Sequence, residues 1–87
     1  MKHAGAATLA LLGYLLGEVR KLPQLREKSP GSFYFKSKGY LHFHEDPAGI
    51  FADVKLDLGE FTRMPATTAK EQKALLAKIN QSLKAHS

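Results

Sequence analysis

With 87 residues the chain has room for one domain, because a chain of this size buries only roughly 60–65% of its unfolded surface and cannot support two cores. Hydrophobic residues at 44% and charged residues at 24% mark a folded globule and exclude disorder, and the absence of cysteine excludes disulfides, thiolate nucleophiles and cysteine-based zinc sites. The net charge of +5 is uneven: residues 1–43 carry seven basic and two acidic groups, 44–66 two and five, and 67–87 four and one, so no polybasic run exists to fix a nucleic-acid or membrane partner.

The first 17 residues resemble the n- and h-regions of a secretory signal, with Lys2 ahead of AGAATLALLGYLLG. GEVRKL follows in place of a small-x-small cleavage site, and about 14 apolar residues fall short of the ~20 that span a bilayer. The segment therefore reads as a helix over 8–22, with Thr8 as N-cap and Pro23 as stop, in a cytoplasmic protein without a membrane span. Leu9, Leu12, Leu16 and Val19 make one apolar stripe and Leu11, Leu15 and Leu22 another, which is broader than a surface helix needs and suits a helix packed on two sides or against a second copy of the chain. Gly13 and Gly17, four residues apart, either permit close helix approach or, as is commoner in a soluble protein, only weaken the helix.

Residues 20–31 read as a basic, proline-punctuated connector ending in the turn signal Ser29-Pro30-Gly31. A sheet is expected over 32–64. Its first strand, 32–36, sets Phe33 and Phe35 on one face and Tyr34 and Lys36 on the other, and Ser37-Lys38-Gly39 is the link to the second. In YLHFHEDPAGIFADVKL, residues 40–56, Leu41 and Phe43 alternate with Tyr40, His42 and His44, and Ile50, Ala52, Val54 and Leu56 alternate with Phe51, Asp53 and Lys55. The Asp46-Pro47-Ala48-Gly49 break between them makes a hairpin. Keeping one face apolar requires His44 opposite Phe51, His42 opposite Asp53 and Tyr40 opposite Lys55. For the first hairpin the same criterion pairs Phe33 with Phe43, Phe35 with Leu41 and Tyr34 with His42.

A short edge strand over 60–64 stops at Pro65, and a helix over 68–85 follows, with Thr68 and Glu71 at capping-box spacing and Leu75, Leu76, Ile79 and Leu83 as its core stripe. The expected fold is α+β: a helix, a three- to four-stranded antiparallel meander and a helix, both helices on one face of the sheet.

The opposite face then displays Tyr34, Lys36, Tyr40, His42, His44, Phe51, Asp53 and Lys55. His42-x-His44 places two imidazoles about 7 Å apart on one strand face, and Asp53 beside His42 either orients its ring or completes a His42, His44, Asp53 site for zinc or another divalent metal. Tyr34, Tyr40 and Phe51 with Lys36 and Lys55 form an alternative platform for single-stranded nucleic acid, against which Asp53 counts. A flat sheet face offers no deep pocket for catalysis, so no catalytic residue is assigned. The leading expectation is a non-catalytic binding or interaction domain that forms a homodimer or meets a protein partner.

Residues 23–83, through KLPQLREKSPGSFYFKSKGYLHF and the closing TAKEQKALLAKI, resemble small uncharacterised bacterial domains of the MmcQ/YjbR-like family. That resemblance implies a CyaY-like α+β fold and a DNA-binding role, although the later strand and closing segment of those domains have no counterpart in this chain. HFHEDPAGIFADV is similar to the histidine-rich and aspartate-containing strands of luciferase-like uncharacterised domains. Neither resemblance transfers a catalytic residue.

Overall fold

The computed structural model describes residues 2–86. Its elements run β1 (Lys2–His3), α1 (Ala6–Leu11), α2 (Gly13–Arg20), β2 (Leu25–Ser29), β3 (Ser32–Phe35), β4 (Lys38–Asp46), β5 (Gly49–Val54), β6 (Thr62–Pro65) and α3 (Ala69–Ala85). The α+β class holds, but the sheet has six antiparallel strands rather than three or four. Five follow one another in the order β2-β3-β4-β5-β6, and β1 pairs with β4. Because β4 is nine residues long, its early half pairs with β3 while His44 and Glu45 pair with His3 and Lys2.

The β4–β5 hairpin has the register that the apolar alternation requires: Leu41 faces Val54, His42 faces Asp53 and His44 faces Phe51. Beyond the paired ladder, the Lys55 amide donates to the Tyr40 carbonyl at 2.9 Å. Leu41, Phe43, Ala52 and Val54 are buried in one core cluster with Leu12, Leu15, Leu16 and Val19 of the helical N-terminal segment and Leu75, Ile79 and Leu83 of α3. At the tip, the Asp46 side chain accepts from the Ala48 amide at 2.9 Å, the local bond that makes aspartate a turn residue.

The β3–β4 hairpin departs from its expected register. Phe33 faces Leu41, Tyr34 faces Gly39 and Phe35 faces Lys38, with a register shift between Phe33 and Tyr34. The connection is the two-residue turn Lys36-Ser37, with φ of 50° and 71°, the left-handed geometry that matches strand twist, and not the link 37–39. Such a tight turn would put β4 out of phase with the core, and one additional residue on β4 restores it. That bulge turns Tyr40 inward beside Leu41, so both are buried at 1% exposure. Tyr40 is therefore a core residue and not part of the exposed face. Its hydroxyl donates to Ser82 Oγ at 2.8 Å, and Ser82 Oγ donates on to the Leu56 carbonyl at 2.5 Å, tying α3 to the sheet.

Three further expectations are corrected. The helix over 8–22 is broken at Leu12, where the amide bonds the carbonyl three residues back, Leu9, before α2 starts at Gly13. Glycine is a poor mid-helix residue, and the break lets Leu12 bury fully. Thr8 does not cap the segment: Gly5 is the N-cap, and the buried Thr8 hydroxyl donates to Glu45 of β4. The connector 20–31 contains β2, which alternates weakly because it is an edge strand; Leu25 faces Phe35 and Glu27 faces Phe33. Glu27 holds Arg20 at 2.6 Å and accepts from the Gly31 amide at 2.9 Å, bracing a turn in which Gly31 has φ 77°. The expected capping box is present, with the Glu71 amide donating to Thr68 Oγ1 at 3.1 Å and Glu71 Oε1 accepting from the Thr68 amide at 3.0 Å.

The Tyr40–Ser82–Leu56 chain sets an order of costs. Tyr40→Phe leaves Ser82 still donating to Leu56 and costs about 1 kcal/mol, whereas Ser82→Ala strands both the Tyr40 hydroxyl and the Leu56 carbonyl and costs more. Urea denaturation measures both through the midpoint at unchanged slope; Ser82→Ala proving the milder variant contradicts this assignment.

Candidate metal-binding site

The β4–β5 register that buries one face necessarily gathers His42, His44 and Asp53 on the other. The Asp53 carboxylate is the centre of the group. Its Oδ2 lies 3.0 Å from His44 Nε2 and 3.4 Å from His42 Nε2, and Arg63 of β6 grips it with Nε donating to Oδ1 and Nη2 to Oδ2, both at 2.9 Å. Arg63 faces Asp53 directly across the β5–β6 ladder, so the bidentate pair is a cross-strand pair.

Two more rings complete the surroundings. His3 faces His44 across β1–β4, its ring centroid 4.9 Å from that of His44 and 5.9 Å from that of His42. Phe61 meets His42 edge-on at 4.8 Å. β1 is held in place by the Ala4 amide donating to the Phe43 carbonyl at 3.1 Å, by Lys2 lying 3.6 Å from Glu45, and by Thr8 bonding the same carboxylate.

The electrostatics follow from this packing. Arg63 holds the Asp53 carboxyl below its ordinary range, with the nearby imidazoles acting in the same direction. His42 is depressed below its ordinary value of 6.5, first by burial and then by the charge of His44, and Asp53 pulls the other way without reversing the shift. His42 therefore presents a neutral imidazole at pH 7. His44 Nδ1 is buried and has no hydrogen-bond partner, the single such side-chain atom among the described residues. One ligating atom from each of His42, His44 and Asp53 can be chosen so that all lie within 4.8 Å of one another.

The remaining expected face residues scatter around this centre. Tyr34 is half-buried and stacks under the Lys28 ammonium at 4.5 Å. Phe51, facing both His44 and Pro65, is half-buried. Lys55 lies over the Phe61 ring at 4.8 Å, and Lys36 is in the β3–β4 turn. With Tyr40 in the core, the row of stacking aromatics proposed for nucleic acid is interrupted. Sequence reasoning missed His3, Arg63 and Phe61. His3 was hidden inside the signal-like segment, whereas Arg63 was recoverable: extending the hairpin pairing to the strand before Pro65 brings it opposite Asp53.

In chelator-treated protein, the stability tied to His42 is fully present above pH 6.5 and is lost as pH falls through the lower folded value, because the unfolded chain then binds the proton more readily. Asp53, also depressed, acts with the same sign in the carboxylate range, while His3, His44 and Arg63 are the other charged or titratable groups facing His42. The melting temperature should fall from pH 7.5 to 5, and His42→Gln should flatten that slope; a slope unchanged by His42→Gln contradicts the assignment.

Comparison with family models, curated proteins and solved structures finds no match to this chain, so the functional argument rests on the His/Asp/Arg cluster itself.

Proposed function

We propose that this chain is a small non-catalytic binding domain whose ligand is a divalent transition-metal ion of the zinc class, held by His42, His44 and Asp53. The observation that carries the reading is the convergence of three donors from two paired strands within 4.8 Å. Zinc–ligand bonds of about 2.0–2.1 Å in tetrahedral arrangement separate neighbouring donors by about 3.3 Å, and the two Nε2–Oδ2 distances of 3.0 and 3.4 Å bracket that figure. Two imidazoles with one carboxylate suit zinc, copper or nickel over magnesium or calcium, which prefer oxygen donors. His3 lies beside the cluster, its ring centroid 4.9 Å from that of His44, while the donor atoms that converge are those of His42, His44 and Asp53. Arg63, which donates to both Asp53 oxygens, is the kind of outer contact that orients a ligating carboxylate, and Oδ2 keeps a further lone pair directed toward the two imidazoles.

Calorimetric titration of chelator-treated protein with zinc should give one site per chain and a rise in melting temperature by mass action. His42→Ala and His44→Ala should each weaken binding by at least about tenfold, as loss of a ligand does, and His86→Ala should leave it unchanged, since His86 lies outside the cluster. Unaltered affinity in both cluster variants ends the metal reading.

A second reading, association of two copies, is favoured by Leu11 and Tyr14, large apolar side chains that stay 73% and 61% exposed at the junction of α1 and α2. Sedimentation equilibrium across a concentration range tests it: Leu11→Lys with Tyr14→Lys should shift a dimer to monomer, and a wild-type monomer at the highest concentration refutes it.

A further inference from the structure

We propose that the concavity between the Lys36-Ser37 turn and the 55–58 segment is a binding site for a small organic anion that carries one planar apolar ring. Its volume is about 200 Å³, and its walls are Phe35, Lys36, Lys38, Gly39, Tyr40, Lys55 and Leu58. An apolar cavity of about 150 Å³ accepts a benzene ring, so this space takes one ring together with a charged substituent.

Charge selects the ligand. Three of the seven wall residues are lysines and none is acidic. Among the described residues Arg20, Lys21 and Arg63 are neutralised by Glu27, Glu18 and Asp53, whereas Lys36, Lys38 and Lys55 have no carboxylate within ion-pair distance. Two of them rest on aromatic faces, Lys36 5.2 Å from the Phe35 centroid and Lys55 4.8 Å from that of Phe61. That contact lays the stems along apolar surface and keeps the ammonium groups at the rim. A concave site with low-dielectric walls and charge of one sign concentrates anions.

Two turns frame the cavity: Lys36 takes its φ of 50° in the β3–β4 hairpin turn, and Leu58, with φ 64°, ends the 55–58 turn. A leucine in the left-handed region is unusual, and it is retained here with its side chain 39% exposed at the cavity wall rather than in the core. The 55–58 turn, closed by the Leu58 amide donating to the Lys55 carbonyl at 3.0 Å, leaves that apolar side chain at the cavity wall, where a ligand's ring can lie against it.

Amide-resolved NMR titration of the full chain in chelator-containing buffer, with benzoate, phenyl phosphate and neutral benzamide as probes, tests the site separately from the histidine cluster. Saturable shifts confined to residues 35–40 and 55–58 are expected, with dissociation constants on the order of millimolar for the anions and binding of benzamide at least tenfold weaker. The stronger of benzoate and phenyl phosphate identifies carboxylate or phosphate as the preferred anion. Replacing Lys36, Lys38 and Lys55 together by Gln should weaken the anions at least tenfold at unchanged melting temperature, and Leu58→Gly should weaken them without lowering it. Benzamide matching benzoate, shifts spread over the lysines of α3, or no saturation by about ten times the millimolar range overturns the proposal.

Discussion

The pairing of β4 with β5 is the constraint on which the rest of this molecule depends. Burial of Leu41, Phe43, Ala52 and Val54 permits one register, since a slip by a single residue would send histidines and aspartate into the core. The same register that satisfies the core then leaves no freedom on the reverse face: His42 must stand beside Asp53, and His44 one pleat away. The charge cluster is thus a geometric by-product of hydrophobic packing, which is why it is well defined in a chain with so little core to spare. What the cluster adds is a requirement on its neighbours. A carboxylate as buried as Asp53 needs compensation, and Arg63 supplies it from the next strand.

Elements whose signals are local and redundant were legible in the sequence. The capping box and apolar stripe of α3, the β4–β5 register and the turn at Pro30-Gly31 each rest on side-chain chemistry within a few residues, and the structure repeats them. What was illegible depended on tertiary context. β2 has mixed polarity because only Leu25 and Glu27 lean inward, and its strand character comes from Phe33 and Phe35 beside it. The bulge that turns Tyr40 inward answers a conflict between a two-residue turn and the phase of the core, and neither partner in that conflict reveals it alone. A tyrosine on the polar side of an alternating pattern looks exposed until a serine on a distant helix offers its hydroxyl a partner.

The candidate site was legible by half. The HxH string and its cross-strand aspartate follow from alternation, but His3 belongs to a two-residue strand that exists only because β4 outruns β3 and leaves an edge to be paired. Apolar composition pointed the N-terminal segment toward a signal or a long helix, and no helix among the described residues is long and apolar enough to cross a membrane. The segment instead folds back on the sheet, where Thr8 and Lys2 converge on Glu45 and bring an imidazole to the cluster.

Phe61 is where the two proposed sites meet. Its ring lies edge-on to His42 and under the Lys55 ammonium, and its tip approaches Gly39, one of the residues around the lysine-walled cavity. It is also 43% exposed, an apolar ring left at the surface by the loop that precedes β6. A side chain so placed does two things at once: it shields one flank of the imidazole from water, favouring the neutral form that a metal requires, and it holds the lysine stem that walls the cavity. Any ligand that moved the Lys55 head would therefore also disturb the ring packed on His42.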